Sequence, residues 1–273
     1  MRSGILFALA GGLVISGIEF RSAAAAFSNS SPIIINDSIS LPSKAGPYPS
    51  SITVTGFPGF VVAKITLTIS GLTHEFPSDI TMLLEAPNGL AVIPFSEVGG
   101  QNGPNLSVTN LTINLDDEAS AALPVYATLG SGTFRPTNGY LTLGHTNIPY
   151  DLPAPAPPGN SNSVSRLSLF RNTDLNGVWS LFVVDDASGG GGVISNGWSM
   201  SIQAAIPFES QRMGTNLVLS WPASIQNVSL QTTSNLVTAS WNNVSASPYQ
   251  AAGRWFVTNA ISPGSRFFRL VLN

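Results

Sequence analysis

The run Lys64-Ile65-Thr66-Leu67-Thr68-Ile69 alternates polar and apolar side chains with a period of two, which puts Ile65, Leu67 and Ile69 on one face of an extended strand. The same texture recurs in Ile80 to Leu84, Val108 to Leu115, Arg166 to Phe170, Val178 to Val184 and Trp198 to Ile202, with turn residues between the runs. Pro87-Asn88-Gly89 is a turn signal that reverses the chain into Leu90 to Ile93, so the two flanking runs read as a hairpin. No stretch carries a convincing helical period. With 26 Gly, 20 Pro and only 9% charged residues, the composition favours short strands and tight turns. The expectation is an all-β chain: a jelly-roll or Greek-key β-sandwich over residues 27–205, then a small β-rich C-terminal module over 206–273. In that module the strand candidates are Asn216 to Trp221, Val228 to Thr233, Ser240 to Val244, Trp255 to Thr258 and Phe267 to Leu272. Pro149 to Ser163, dense in proline, reads as an extended, solvated loop inside the sandwich; a domain boundary there is the rival reading.

Residues 1–26 have the order of a secretory signal peptide: Arg2 near the start, an apolar stretch from Gly4 to Ile18, and the small-residue segment Ser22 to Ala26. The apolar stretch is short for a membrane span, although an uncleaved anchor is the alternative. The expected location is therefore secreted or cell-surface, with no membrane span in the mature chain. The absence of cysteine means that an exported chain of this kind is stabilised without disulfides, which suits bacterial export. Residues 27–205 hold 5 basic and 12 acidic residues, a net −7, whereas residues 206–273 hold 4 basic and 1 acidic, a net +3. An acidic sandwich without a basic patch argues against nucleic-acid binding and is compatible with divalent cations.

Four motif blocks occur in order between Ile52 and Ile202. The first runs Ile69-Ser70-Gly71-Leu72-Thr73-His74, then Asp79-Ile80, then Leu83-Leu84-Glu85-Ala86-Pro87-Asn88-Gly89. The second and third are Leu111 to Ala119, containing Asp116-Asp117-Glu118, and Gly132-Thr133-Phe134-Arg135-Pro136. The last runs from Leu169-Phe170 through Asn176-Gly177-Val178-Trp179 to Asp185-Asp186, Gly192-Val193-Ile194 and Gly197-Trp198-Ser199-Met200. This ordered set resembles the P domain (Homo B domain) that follows the protease domain in subtilisin-like proprotein convertases, in its bacterial form. The resemblance implies a β-sandwich, an association with serine endopeptidases and, in some members, bound calcium. The protease motifs themselves are absent, so the likeness is to the accessory domain alone. The C-terminal module resembles, more loosely, small β modules that end many exported bacterial proteins.

Independently of that likeness, Trp179 and Trp198 start alternating strands and are expected to anchor the interior, and Gly71, Gly89, Gly177 and Gly197 mark turns or close approaches. The chain has two histidines, and neither His74 nor His145 stands in a catalytic setting; His74 reads as a packed structural residue. The remaining chemical signal is paired carboxylates. Asp116, Asp117 and Glu118 follow one strand, and Asp185 and Asp186 precede the glycine-rich Ser188 to Gly192; these five are the candidate calcium ligands, with Asp79 a weaker one. Solvated turns are the competing reading for all of them.

Three functions are in view. The first is a non-catalytic accessory module of P-domain type whose partner is a protease or another extracellular protein. The second is a surface- or glycan-binding β-sandwich, with Tyr48, Tyr140, Tyr150 and Tyr249 as loop aromatics. The third, least favoured, is a hydrolase in which Asp116 and Asp185 hold a metal-bound water.

Overall fold

A computed structural model describes residues 7–10, 13–16, 24–100, 106–237 and 240–273. The regular secondary structure is almost all strand. β1 (Phe7–Ala10) and β2 (Leu13–Ser16) form an N-terminal hairpin. They are followed by β3 (Ala25–Asn29), β4 (Ile33–Ile35), β5 (Ser43–Lys44), β6 (Ser50–Val54), β7 (Val61–His74), β8 (Ile80–Glu85), β9 (Ala91–Ser96), β10 (Val108–Leu115), β11 (Gly132–Phe134), β12 (Thr137–Asn138), β13 (Gly177–Asp185), β14 (Gly192–Ile194) and β15 (Trp198–Ala205). The C-terminal set is β16 (Glu209–Met213), β17 (Asn216–Pro222), β18 (Val228–Thr233), β19 (Asn242–Asn243), β20 (Tyr249–Ala251), β21 (Arg254–Ala260) and β22 (Arg266–Leu272). One four-residue helix, α1 (Gly139–Thr142), and three short 3-10 turns complete the described elements.

Two sheets face each other across the main core. In the first, the long β7 is flanked by β10 on one edge and by both β15 and β14 on the other, with β3 and β4 outside them. In the second, β13 pairs β8 along one edge and β6 and β5 along the other, and β9 and β12 extend the sheet beyond β8. Among the described strands the chain passes between sheets after β4, β6, β7, β9, β11 and β13, so neither sheet is built from one continuous meander.

The alternation of β7 is realised as expected: Ile65, Leu67 and Ile69 are buried and face Met82 and Leu84 of β8 and Trp179, Leu181 and Val183 of β13 in one cluster. Both tryptophans lie in this interior and satisfy their ring N–H there. Trp179 Nε1 donates to Leu175 O (3.1 Å), and Trp198 Nε1 donates to Ser50 Oγ (2.9 Å). At Gly71, with φ of +79°, β7 passes from β15 to β14; a Cβ there would sit 2.1 Å from Ser195 Oγ, so only glycine allows the Ile194–Gly197 corner to fold down on the strand.

A second cluster, containing Phe208, Leu219, Trp221, Val257 and Leu270, forms between the C-terminal sheets β16-β17-β21-β20 and β19-β18-β22. Phe60 packs against both clusters and Gly59 abuts Ser224 and Pro222, so the two sets of strands touch at that point. β1 pairs along β22, with Phe7 opposite Phe268. Residues 1–6, 11–12 and 17–23 of the leader-like segment lie outside the described residues.

Two local expectations are corrected. Arg166 to Phe170 is not a strand: Leu167–Phe170 is a 3-10 turn, because the Asp117 carboxylate accepts from the Leu167 and Ser168 N–H groups (3.0 and 2.7 Å) and takes donors that a ladder would use. The proline-rich segment is not a solvated loop. Ile148, Leu152 and Ala156 are buried against Leu83, Ile93, Phe182 and Val184, forming a strap over the outer face of the second sheet.

Candidate functional site

Titratable side chains concentrate where β7, β8 and β13 end together. β13 pairs β8 with Asp185 opposite Ile80, and the glycine-rich stretch then returns through β14, with Gly192 opposite His74. His74 and Asp185 are both fully buried, with Nε2 3.3 Å from Oδ2. The Phe76 N–H donates to His74 Nδ1 (3.1 Å), while Nε2 and Asp185 Oδ2 approach each other without an aligned hydrogen bond. Asp185 Oδ1 accepts from Ala187 N (3.1 Å). Gly192 makes this pair possible, because a Cβ at that position would fall 2.4 Å from His74 Cδ2 and 2.2 Å from Thr73 O. His74 thus acts as a buried pin between the end of β7 and the loop after β13.

Asp186, one residue later, turns the other way. Its Oδ2 accepts from the Tyr150 hydroxyl (2.6 Å) and the Thr81 hydroxyl (3.3 Å), and Thr81 in turn meets Ser96 at 2.9 Å. Burial, with like charge from Glu97 and Asp79, pushes the Asp186 carboxyl up to about 7 even though the Tyr150 hydrogen bond favours the ionised form. Asp79 is also raised, first by burial and then by the charge of Asp185 and Asp37. Tyr150, held by burial and by the Asp186 charge, is raised far above the ordinary phenol range. The network fastens the proline-rich strap to the sheet: Tyr150 to Asp186 at one point, the Tyr48 hydroxyl to Pro153 O (2.8 Å) at another.

The other acidic set lies elsewhere. Asp116 and Glu118 both contact Lys64 Nζ (3.0 and 2.6 Å), and Asp117 caps the 3-10 turn at Leu167. Lys64 and His74 stand ten residues apart on β7, which at the rise of a strand separates the two acidic sets by roughly 30 Å. Asp116 and Asp185 therefore cannot share one metal-bound water, and the hydrolase reading built on that pair is withdrawn. Of the five expected calcium ligands, Asp116, Asp117 and Glu118 serve a lysine and a turn, while Asp185 and Asp186 point to opposite sides of their strand's end. Among the described residues no group of three His, Cys, Asp or Glu side chains gathers in a way that holds a metal ion. The oxygen donors are of the right kind for calcium, and the two acidic sets are too far apart to share one ion.

Tyr48, Tyr140 and Tyr150 are not exposed loop aromatics. All three pack against the outer face of the second sheet, Tyr48 edge-on to Phe182 at 5.1 Å. Of these four tyrosines Tyr249 stands open, at 53% exposure. His145 stacks at a tilt on Tyr140 (4.9 Å). The residue sequence reasoning missed is Thr81, a hydroxyl in an apolar run, which only the register with Ser96 reveals as part of a polar network. No helix among the described residues is long and apolar enough to cross a membrane. No family model, curated protein or solved structure matches the chain.

Proposed function

We propose that the chain is an exported, non-catalytic accessory module that acts by binding and stabilising another extracellular protein. A subtilisin-like serine endopeptidase is the partner that the ordered P-domain-like motifs suggest. The observation that supports this reading is the commitment of His74: fully buried, one nitrogen taken by a backbone N–H and the other facing buried Asp185, it holds two segments together and offers no base to a substrate. The motif residues around it have scaffold duties too. Asn176 bonds both Phe57 N (3.0 Å) and Phe57 O (2.8 Å), and Trp179 and Trp198 fill the core.

The test is a turnover panel of ester, glycoside and peptide substrates, run with and without millimolar divalent cations. The expected result is no turnover above buffer. Activity that co-elutes with the chain and falls in an Asp79→Asn variant overturns the proposal, because it would place chemistry at the acidic end of the sandwich.

A further inference from the structure

A surface outside the sandwich has the chemistry of a binding site. In the four-stranded sheet β16-β17-β21-β20, Leu219 and Val257 turn inward to the core, so their neighbours in register turn outward. Glu209, Ser220, Phe256 and Tyr249 lie opposite one another on consecutive strands and form a single row across that outer face. Gln211 flanks the row on β16. The Tyr249 and Phe256 rings are nearly parallel, 21° apart with centroids at 5.6 Å, and form a shallow aromatic shelf of which Tyr249 is the open end. Beside it lies a cleft of about 500 Å³ lined by Glu209, Gln211, Arg254 and Phe256.

Arg254 is fixed in place. Its Nε donates to Ser220 Oγ (3.1 Å), and Nη2 donates to Pro207 O and Ser220 O (3.2 Å each) and lies 3.3 Å from Glu209 Oε1. The two charges of the face thus offset each other, which disfavours an ion as the ligand and suits a neutral one. An aromatic shelf next to a rigid set of donors and acceptors matches a pyranose ring, whose C–H face packs on aromatic carbon while its hydroxyls need both kinds of hydrogen-bond partner. Pre-ordering of Arg254 lowers the entropy lost on binding.

We propose that the outer face of this sheet is a subsite for a neutral glycan, with Tyr249 and Phe256 as the stacking shelf and Glu209, Gln211 and Arg254 as the hydroxyl-binding rim. The inference goes beyond the accessory role proposed above and uses none of its residues. The test is affinity electrophoresis of the full chain in gels containing arabinoxylan, galactomannan, mixed-linkage β-glucan or dextran, with polygalacturonate and heparin as anionic comparators. At least one neutral polymer should retard the protein. Tyr249→Ala and Gln211→Ala, both at exposed positions, should each weaken that retardation about ten-fold with an unchanged melting midpoint. The proposal falls if no neutral polymer retards the chain, if only the anionic ones do, or if retardation survives in both variants. Loss of this binding leaves protease association untouched, so the two proposals fail separately.

Discussion

Replacing Asp186 by asparagine should reverse sign with pH. Burial raises the folded carboxyl from its ordinary value of 3.8 to about 7, so the folded state holds a proton that the unfolded chain has released. The stability this contributes is fully present below pH 4 and is lost as the pH rises through 7. The rise from 3.8 to about 7 corresponds to roughly 4 kcal/mol across that window. For a chain of this size each kcal/mol moves the midpoint by about 2–4 °C, so the swing is on the order of 10 °C. Asparagine keeps the shape and the carbonyl that accepts from Tyr150, but it cannot ionise. Thermal unfolding followed by near-ultraviolet circular dichroism from pH 4 to 8.5 should show the variant more stable than the parent at pH 8 and equal or slightly weaker at pH 4.5. Asp79, raised in the same direction, leaves a smaller residual slope in the variant. A difference between the two proteins that stays constant across the range would refute the buried-carboxyl account.

Three further outcomes follow from the geometry. Gly192→Ala drives a methyl into His74 and the Thr73 carbonyl, so it should cost about 1–3 kcal/mol by chemical denaturation, whereas Ala at Gly89, which has an open surround but positive φ, should cost less. Asp117→Ala removes the acceptor of two backbone N–H groups and should cost about 1–2 kcal/mol, with hydrogen exchange speeding at Leu167 and Ser168 specifically. Because Asp185 and Asp186 diverge and the Asp116 set is bound to Lys64, millimolar calcium against chelator should move the melting midpoint by no more than about 1 °C; a rise of several degrees would mean that side chains rearrange into a cage.

The first sheet was legible because strands such as β7 and β15 are half-buried and alternate. Val108 to Leu115 reads off the sequence with the bounds it has in the fold, and the interior places of Trp179 and Trp198 follow from the same period. The failures share a cause. Leu167 to Phe170 alternates like a strand, but a carboxylate distant in sequence captures its N–H groups, and local pattern carries no trace of that partner. The strap hides Ile148, Leu152 and Ala156 among prolines, where spacing gives no face. At the acidic end, adjacency misled: Asp185 and Asp186 are neighbours in the chain and look like a chelating pair, yet consecutive residues at a strand end face opposite ways, one to His74 and one to Tyr150. Conversely, the likeness of Tyr48, Tyr140 and Tyr150 to scattered surface aromatics dissolved once the strap gathered them over one sheet.

The proposed accessory role is tested most directly by mixing the purified chain with a subtilisin-like serine endopeptidase and following sedimentation together with the protease's half-life on heating. The expected result is a one-to-one species that retains peptidase activity and is inactivated more slowly than the protease alone. Two non-associating components and an unchanged half-life would contradict it.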